Sequence, residues 1–307
     1  MTASRKPTNH WLPLVGLPLI SVLMPWPLAF RLLRWFARTS TCFDEFVDPA
    51  LTNMRKAMGS QALPADEFKW RHRLLRLIDQ TDAWLAATRS HRWFRRHVDV
   101  EGQWPETPFV ALGFHYGAGT FIWKHFAHAR ATAHFLAQRA DLEQPGPGGA
   151  LPWNLRIRKA LIERATGSPI IATGGSFERM RDILSRGEVM VVLVDTPAHG
   201  TRQSHEGRLF GKRFTLPTGV FELARRARVP LVPWSMHFDP RSGRRKLTIH
   251  PALNPGMDNA RLTQESLSVL ESLLTQDPAG WHLWPQFALF AGDDSVRAKG
   301  SLPDGES

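Results

Sequence analysis

His115 and Asp195 each end an apolar run, and these two positions carry the strongest indication of chemistry in the chain. His115 closes the run 109–115 (FVALGFH) and enters a turn that contains Gly117 and Gly119. A histidine at the C-terminal end of a buried strand is held at the sheet edge where α/β folds bind ligands. The small residues beside it leave room for a substrate. A structural histidine is the alternative for this position.

Asp195 ends the run 189–195 (VMVVLVD), which gives the strongest strand signal of the chain. A carboxylate at that sheet edge can orient a nearby histidine or bind a cation. Capping of the loop that follows is its alternative role. The residue types at the two positions therefore allow an oriented imidazole or a cation site at the edge of a sheet.

Basic residues form several clusters, most of which are expected to be solvated helix faces. Arg139 and Arg164 are better candidates for substrate binding, because both fall near predicted strand or helix ends that face the same edge. Lys212 and Arg213, which are neighbours in one of these clusters, are further candidates for substrate binding. The sequence thus offers four basic side chains that could bind an anionic substrate.

No metal or nucleotide motif accompanies these residues. His125 and His128 have a spacing of three, but no third ligand is evident, so a metal site is not predicted. The turn Gly174-Gly175-Ser176 is too short for a dinucleotide or phosphate-loop fingerprint. The single cysteine, Cys42, excludes an internal disulfide and fits a reducing compartment.

From Pro108 onward, short apolar runs alternate with charged stretches of helical period, which is typical of an α/β fold. Long amphipathic helices are predicted over 64–90 and 260–275, and a shorter one over 217–228 that has Pro217 in its first turn. The predicted strands lie within 109–115, 132–138, 168–173, 189–195, 229–238 and 246–252.

Residues 11–30 form an uncharged stretch of 20 residues that is followed by three arginines. That length is just enough to cross a bilayer as a helix, and the positive charges after it would place the body of the protein in the cytoplasm. Four prolines interrupt the stretch. A membrane anchor or interfacial helix over 1–40 is the preferred interpretation, and a buried or surface-packed helix is the alternative.

The chain has 307 residues, with 39 Lys and Arg against 28 Asp and Glu, which gives a net charge of +11. This charge favours an anionic partner, for which nucleic acid, anionic lipid and acidic carrier proteins all qualify. No nucleic-acid-binding motif is present, so nucleic acid is not predicted. We expect one folded body over 41–290, a flexible tail over 291–307, and a loop over 140–152 that is either a linker or a lid.

The stretch 207–233, GRLFGKRFTLPTGVFELARRARVPLVP, resembles the late lipid A acyltransferases. It contains a phenylalanine-glycine turn, a proline-x-glycine helix start and a following strand. Asp195 falls where that family has an aspartate at the end of the preceding strand. The spacing of Asn154, Arg164 and Gly167 and the block 277–287 are similar as well, so the resemblance extends over about 10–290.

The resemblance implies a glycerol-3-phosphate-acyltransferase-like α/β fold, with a central mixed sheet flanked by helices and an N-terminal hydrophobic helical segment. It implies an O-acyltransferase that moves a fatty acyl chain from acyl carrier protein or coenzyme A to a hydroxyl of a lipid. The implied location is the cytoplasmic face of the inner membrane. The acyl thioester would be a co-substrate, and no cofactor is expected.

The family places an acidic residue shortly after its catalytic histidine, and here Thr120 occupies that position after His115. The resemblance implies His115 as the general base, which takes the proton of the acceptor hydroxyl. Threonine can hydrogen-bond to the imidazole but cannot stabilise an imidazolium by charge, so Asp195 is the candidate substitute. An acceptor with a more acidic hydroxyl, such as a phenol, is a second way to accommodate Thr120.

The remaining expectations concern substrate binding. Backbone N–H groups of the His115–Gly119 turn would bind the thioester oxygen, and apolar space between the sheet and the N-terminal helices would hold the acyl tail. Acyl carrier protein and anionic lipid are the expected partners. The alternative that Thr120 favours is a catalytically weakened relative that binds lipid or acyl carrier without turnover. The expected binding residues are Arg139, Arg164, Lys212, Arg213, Gly117 and Gly119.

Overall fold

The computed structural model describes residues 10–106, 108–138, 149–197 and 203–290. The predicted tail 291–307, Arg139 and most of the predicted loop 140–152 lie outside these residues. The α-helices are α1 (Leu17–Leu23), α2 (Trp26–Thr39), α3 (Asp44–Met58), α4 (Ala65–Thr88), α5 (His91–His97), α6 (Phe121–His128), α7 (Ala150–Thr166), α8 (Phe177–Ser185), α9 (Gly219–Ala227), α10 (Asn259–Gln276) and α11 (Phe287–Phe290). The strands are β1 (Val98–Glu101), β2 (Val110–Gly113), β3 (Ala133–Ala137), β4 (Ile171–Ala172), β5 (Val189–Leu193), β6 (Ser204–Leu209), β7 (Lys212–Pro217), β8 (Leu231–Phe238) and β9 (Arg245–Ile249).

Seven strands form one mixed sheet in the order β1-β9-β8-β2-β5-β3-β4. Its pairs are parallel except β8 with β9, which a short turn connects as an antiparallel pair. Strands β6 and β7 form a separate antiparallel hairpin. The predicted α/β class, with a central mixed sheet flanked by helices, is therefore confirmed.

Alternate residues of the central strand β2 face two different hydrophobic cores. Val110 and Leu112 pack in the core that contains α8, α9 and α10, whereas Ala111 packs in the core that contains α2, α4 and α6. All four residues of β2 are buried. This explains why the strand appears in the sequence as a continuous apolar run and not as an alternating one.

The predicted long helices are confirmed as α4 and α10, whereas the predicted helix start at Pro217 is wrong and one hairpin was not predicted. Pro217 is the last residue of β7 and not part of the first turn of α9, which begins at Gly219. The phenylalanine-glycine turn connects the two strands of a hairpin that was not predicted. Phe210 and Gly211 adopt φ angles of 51° and 71°, the left-handed values that a tight hairpin turn requires.

The uncharged N-terminal stretch forms two helices with a break between them. Met24 and Pro25 are extended, with ψ angles of 155° and 135°, and a residue that precedes proline disfavours helical geometry. Among the described residues, no helix combines the length and the apolar character needed to cross a bilayer. Asn154 anchors this region, since its side-chain amide donates to the carbonyl of Leu14 at 3.0 Å.

Candidate active site

The register of two neighbouring parallel strands brings His115 and Asp195 together. Gly113 of β2 is paired with Leu193 of β5, and His115 and Asp195 each follow two residues later at the carboxyl edge of the sheet. His115 Nδ1 lies 2.9 Å from Asp195 Oδ1. The side chain of His115 is 31% exposed and that of Asp195 is fully buried. The pair therefore joins an accessible imidazole to a buried carboxylate.

Asp195 accepts three further hydrogen bonds besides that of the imidazole. The backbone N–H of His115 donates to both carboxylate oxygens, at 3.0 and 2.8 Å, and the indole N–H of Trp281 donates to Oδ2 at 2.7 Å. An ionised carboxylate can only accept, so Nδ1 carries the proton of a neutral imidazole and Nε2 carries the lone pair. This is the tautomer that a general base requires.

The C-terminal segment Gly280–His282 holds the turn that carries His115. Gly117 N–H donates to the carbonyl of Gly280 at 2.8 Å, and His282 N–H donates to the carbonyl of His115 at 2.9 Å. His282 Nε2 also lies 2.8 Å from the carbonyl oxygen of Gly117, so Nε2 is the protonated nitrogen of that ring. Burial, with a smaller contribution from the nearby Arg76 guanidinium, lowers the pKa of His282 to about 4.

Gly117 cannot be replaced without displacing the backbone. Its φ angle is +70°, and a Cβ atom there would lie 1.7 Å from the carbonyl oxygen of Met236. That carbonyl accepts the N–H of Ala118 at 3.1 Å. Gly119 is less constrained, because a Cβ atom there would meet only the ring of Trp234, at 3.4 Å. Gly117 thus shapes the backbone of the turn, and its expected role in substrate binding stays a prediction.

Thr120 lies directly before α6, at its N-cap position, with no capping hydrogen bond from its side chain. Within the described residues it makes no hydrogen bond to His115, whose Nδ1 is engaged by Asp195. The side chain that orients the imidazole is therefore Asp195, which follows β5, and not a residue shortly after the histidine. The sequence resemblance named both candidates, and the geometry selects Asp195.

The basic candidate Arg164 does not lie at the edge of the sheet that carries His115. Arg164 is exposed in the last turn of α7, and its neighbours Ala165 and Thr166 line a cavity together with Thr132, the residue before β3. This is the amino edge of the sheet, opposite to His115, because a helix that follows a parallel strand runs back to the edge where that strand began. The expectation that Arg164 faces the edge of His115 is wrong.

Lys212 and Arg213 lie at the start of β7, next to the hairpin turn. Arg213 is 73% exposed and its Nε lies 3.2 Å from Glu206 Oε1 of the opposite strand. This cross-strand pair accounts for its position without a substrate. Lys212 is half-buried, and among the described residues it makes no hydrogen bond or ion pair with His115 or Asp195. Arg139 lies outside the described residues.

Two expectations about substrate binding need correction. The backbone N–H groups of His115, Gly117 and Ala118 are engaged by Asp195, Gly280 and Met236, so they are not available to a thioester oxygen. Within the described residues, Gly119 N–H has no acceptor. The space between the sheet and the N-terminal helices is filled by side chains of the second core, which include Phe30, Leu33, Trp234, Met236 and Phe238.

Two cavities in the described part of the chain lie away from His115. One cavity is lined by Arg225, Arg228 and residues 252–256, and the other by Trp123, Phe126 and residues 130–133, and neither includes His115. In the described part of the chain, no three potential metal ligands lie close enough together to hold an ion.

Sequence reasoning noticed Trp281 only as part of a similar block and did not name His282 at all. Both contact the histidine turn although they lie far from it in sequence, with 86 positions between Trp281 and Asp195 and 165 between His282 and Gly117. The tryptophan-rich block 277–287 was the one signal that could have found them, but nothing in its spacing indicates which indole reaches Asp195.

The fold and the site define an α/β protein with a histidine-aspartate pair at the carboxyl edge of a mixed parallel sheet. The family profile described as bacterial lipid A biosynthesis acyltransferase matches residues 156–287. Over this part of its length the chain is similar to that family, in agreement with the resemblance seen in its sequence. Asp195 and Trp281 lie inside the matched range, and His115 lies before it. No curated protein sequence matches the chain.

Proposed function

We propose that the protein transfers a fatty acyl chain from an acyl thioester to a hydroxyl of a lipid or lipid-like acceptor, with His115 as the general base. The match of residues 156–287 to the lipid A acyltransferase profile supports acyl transfer to a lipid acceptor. The observation that carries the assignment to His115 is the 2.9 Å contact between its Nδ1 and Asp195 Oδ1, at the edge of the sheet where ligands bind.

In this mechanism His115 Nε2 takes the proton of the acceptor hydroxyl as the hydroxyl oxygen attacks the thioester carbonyl. The buried Asp195 carboxylate stabilises the imidazolium that forms. Asp195, which follows β5, thus has the role that the family gives to the acidic residue at the position of Thr120. The imidazolium then returns its proton to the departing thiolate. General acid–base catalysis of this kind contributes roughly 10²–10⁴-fold to the rate.

The negative charge that develops on the thioester oxygen needs a donor, and Gly119 N–H is our candidate. It lies at the entry to α6, where the helix dipole favours negative charge. Its neighbours His115, Gly117 and Ala118 already donate to protein acceptors. Among the described residues the N–H groups of Tyr116 and Gly119 are the two in the turn without an acceptor, and the position of Gly119 before α6 favours it.

We further propose that the outer faces of α1 and α2 lie against an anionic membrane. Leu28 and Trp35 share one face of α2 with Arg31 and Arg38, while Phe30 and Leu33 pack inward. Of the ten large apolar side chains exposed in the described residues, seven lie between Trp11 and Trp35. Tryptophan and arginine beside exposed leucines favour the interfacial region of a bilayer.

This membrane surface would place the enzyme at the cytoplasmic face of the inner membrane, beside its lipid acceptor. The acyl donor would arrive from the cytoplasm as a thioester of acyl carrier protein or of coenzyme A. The charge of +11 favours both an acidic carrier protein and an anionic leaflet. Nucleic acid is not among the proposed partners, and the thioester would serve as co-substrate with no cofactor.

The experiment compares full-length wild type, His115→Gln and the control His128→Gln in the presence of radiolabelled dodecanoyl thioesters. Each protein is incubated with vesicles made from the lipid extract of cells that lack it, and products are identified by mass spectrometry as species heavier by one acyl chain. His128 is exposed at the end of α6, away from Asp195. We expect transfer by wild type and His128→Gln, and a loss on the order of 10³-fold in His115→Gln.

An unchanged rate in His115→Gln would overturn the assignment of the base. Binding of wild type to the vesicles or to a thioester, with no transferred chain from either thioester, would favour the second candidate, a non-catalytic binder of lipid or acyl carrier. Parallel arms with carrier-protein and coenzyme A thioesters identify the donor.

A further inference from the structure

Trp281 contacts the buried member of the proposed catalytic pair and has no role in the mechanism so far. Its side chain is fully buried, and its indole N–H donates to Asp195 Oδ2 at 2.7 Å. This hydrogen bond joins a neutral donor to a carboxylate, which makes it stronger than a bond between neutral groups. It also stabilises the negative charge of the carboxylate that orients His115, which makes this carboxylate less basic.

The backbone of Trp281 is held as firmly as its side chain. Trp281 and Tyr116 form an antiparallel bridge, flanked by Gly117 N–H to Gly280 and His282 N–H to the carbonyl of His115. The indole ring also packs edge-to-face on Trp284 at 5.0 Å between centroids. Its position relative to His115 is therefore fixed by main-chain hydrogen bonds to the histidine turn itself.

We propose that Trp281 is a positioning residue that acts through Asp195 and limits how strongly this carboxylate attracts the proton of His115. The inference rests on the proposed function, since it gives Trp281 a part in the same chemistry. Without the indole N–H, Asp195 would still accept the backbone N–H of His115 on both oxygens. The carboxylate would remain in place but become more basic, and the imidazolium of His115 would be stabilised.

The other charged groups near His115 and Asp195 are the same in wild type and in Trp281→Phe. His282 packs beside the turn from the C-terminal segment, and the charges of Arg76 and Asp79 on α4 act on His282. His72 of α4 lies 6.4 Å from His282 between ring centroids. Trp281 itself is uncharged, so its replacement by Phe changes one donor and none of these groups.

The first test uses Trp281→Phe and the matched control Trp284→Phe, both as full-length protein with ¹⁵N-labelled histidine. Trp284 is also fully buried in the same segment, but its indole N–H donates to the carbonyl of Pro278, away from the pair. The ring nitrogens of His115 are followed by NMR as the pH is varied, with His115→Gln to identify their signals. We expect Trp281→Phe to raise the pKa of His115 by roughly one unit, and Trp284→Phe to leave it unchanged.

An identical His115 titration in wild type and Trp281→Phe would overturn the proposal, as would an equal shift in Trp284→Phe. The wild-type protein supplies a measurement that does not depend on whether the variants fold. Its Trp281 indole N–H signal should move with the same midpoint as the His115 ring. An indole signal that stays fixed through that titration would also contradict the proposal.

The acyl-transfer assay with dodecanoyl thioester supplies the kinetic readout. In Trp281→Phe the acidic limb of the pH profile of kcat/KM should move to higher pH by the same number of pH units as the pKa of His115. The rate at high pH should stay near that of wild type. A loss of rate that is uniform across pH would assign Trp281 a structural role only. If no protein transfers an acyl chain and the NMR shift is still present, the proposed function fails while the positioning role stands.

Discussion

The backbone N–H of His115 donates to both oxygens of Asp195, so the carboxylate is bound to the main chain of the residue whose side chain it orients. The two residues are 80 positions apart in sequence, and parallel pairing of β2 with β5 brings them together. Because three hydrogen bonds connect the same two residues, the distance between the imidazole and the carboxylate is set by the sheet and not by a flexible loop.

This relationship predicts that Asp195→Asn inactivates the enzyme while Thr120→Val leaves it nearly unaffected. Asparagine can occupy the same space but cannot stabilise an imidazolium by charge, so we expect kcat to fall by on the order of 10⁴-fold. Thr120 makes no hydrogen bond to His115 among the described residues, so its hydroxyl should be dispensable. The measurement is the initial rate of dodecanoyl transfer. Equal losses in the two variants would show that both side chains serve the imidazole.

Gly117→Ala should destabilise the fold, whereas Gly219→Ala should not. A Cβ atom at Gly117 would overlap the carbonyl oxygen of Met236, and the φ angle of +70° adds about 1–3 kcal/mol of backbone strain. Gly219 begins α9, and a methyl group added there would meet no atom within 4 Å, so alanine should be neutral or stabilising by up to about 1 kcal/mol. Urea unfolding of the two variants gives both values, and a wild-type midpoint in Gly117→Ala would contradict the geometry.

Asp82→Asn should cost far more stability than Asp99→Asn, although both acids pair with consecutive arginines. Asp82 and Arg245 are fully buried, and the guanidinium of Arg245 lies 4.2 Å from the Trp26 ring centroid. Removal of one partner leaves a buried charge, for which we expect a loss of about 3–5 kcal/mol in the free energy of unfolding. Asp99 and Arg244 are about half exposed, so their pair should contribute less than about 1 kcal/mol. Calorimetry of the two variants checks the contrast, which similar losses would refute.

His282 should make the fold less stable as the pH falls from about 6.5 to 4. Burial lowers the pKa of its imidazole to about 4, below its ordinary value of 6.5, so in this range the unfolded chain binds a proton that the folded chain does not. Stability from this group is therefore complete above pH 6.5 and is lost as the pH approaches 4. His282→Asn keeps a donor for the carbonyl of Gly117 but does not titrate, so its stability should fall less between pH 7 and pH 5. The free energy of unfolding is measured in urea at both pH values. An equal loss between pH 7 and pH 5 in wild type and His282→Asn would contradict the prediction.

The double variant Leu23→Ser with Trp35→Ser should bind anionic vesicles about tenfold less tightly than wild type, or weaker still. These side chains are 77% and 60% exposed on the proposed membrane surface. Val100→Ser is the matched control, because Val100 is 46% exposed on β1, outside that surface. Cosedimentation with phosphatidylglycerol vesicles is the measurement, and Arg31→Gln should weaken binding to these but not to neutral vesicles. Equal binding by the double variant and the control would place the membrane surface elsewhere.

Several features followed from the sequence because they depend on local pattern. The positions of β2, β3, β4, β5, β8 and β9, the long helix α4 and the α/β class follow from the spacing of apolar residues, because buried positions repeat with the period of the local structure. The residues at the ends of apolar runs, His115 and Asp195, could be named for the same reason. Strands β1, β6 and β7 could not be found in this way because they contain few apolar residues.

Tertiary structure alone decided which of the named residues meet. Sequence spacing left Thr120 and Asp195 as rival partners of His115, and only the register of β2 against β5 chose the aspartate. The same topology placed Arg164 at the opposite edge and brought Trp281 and His282 to the histidine turn. The physical reason is that strand order and register depend on packing between distant segments, which no local pattern of residues encodes.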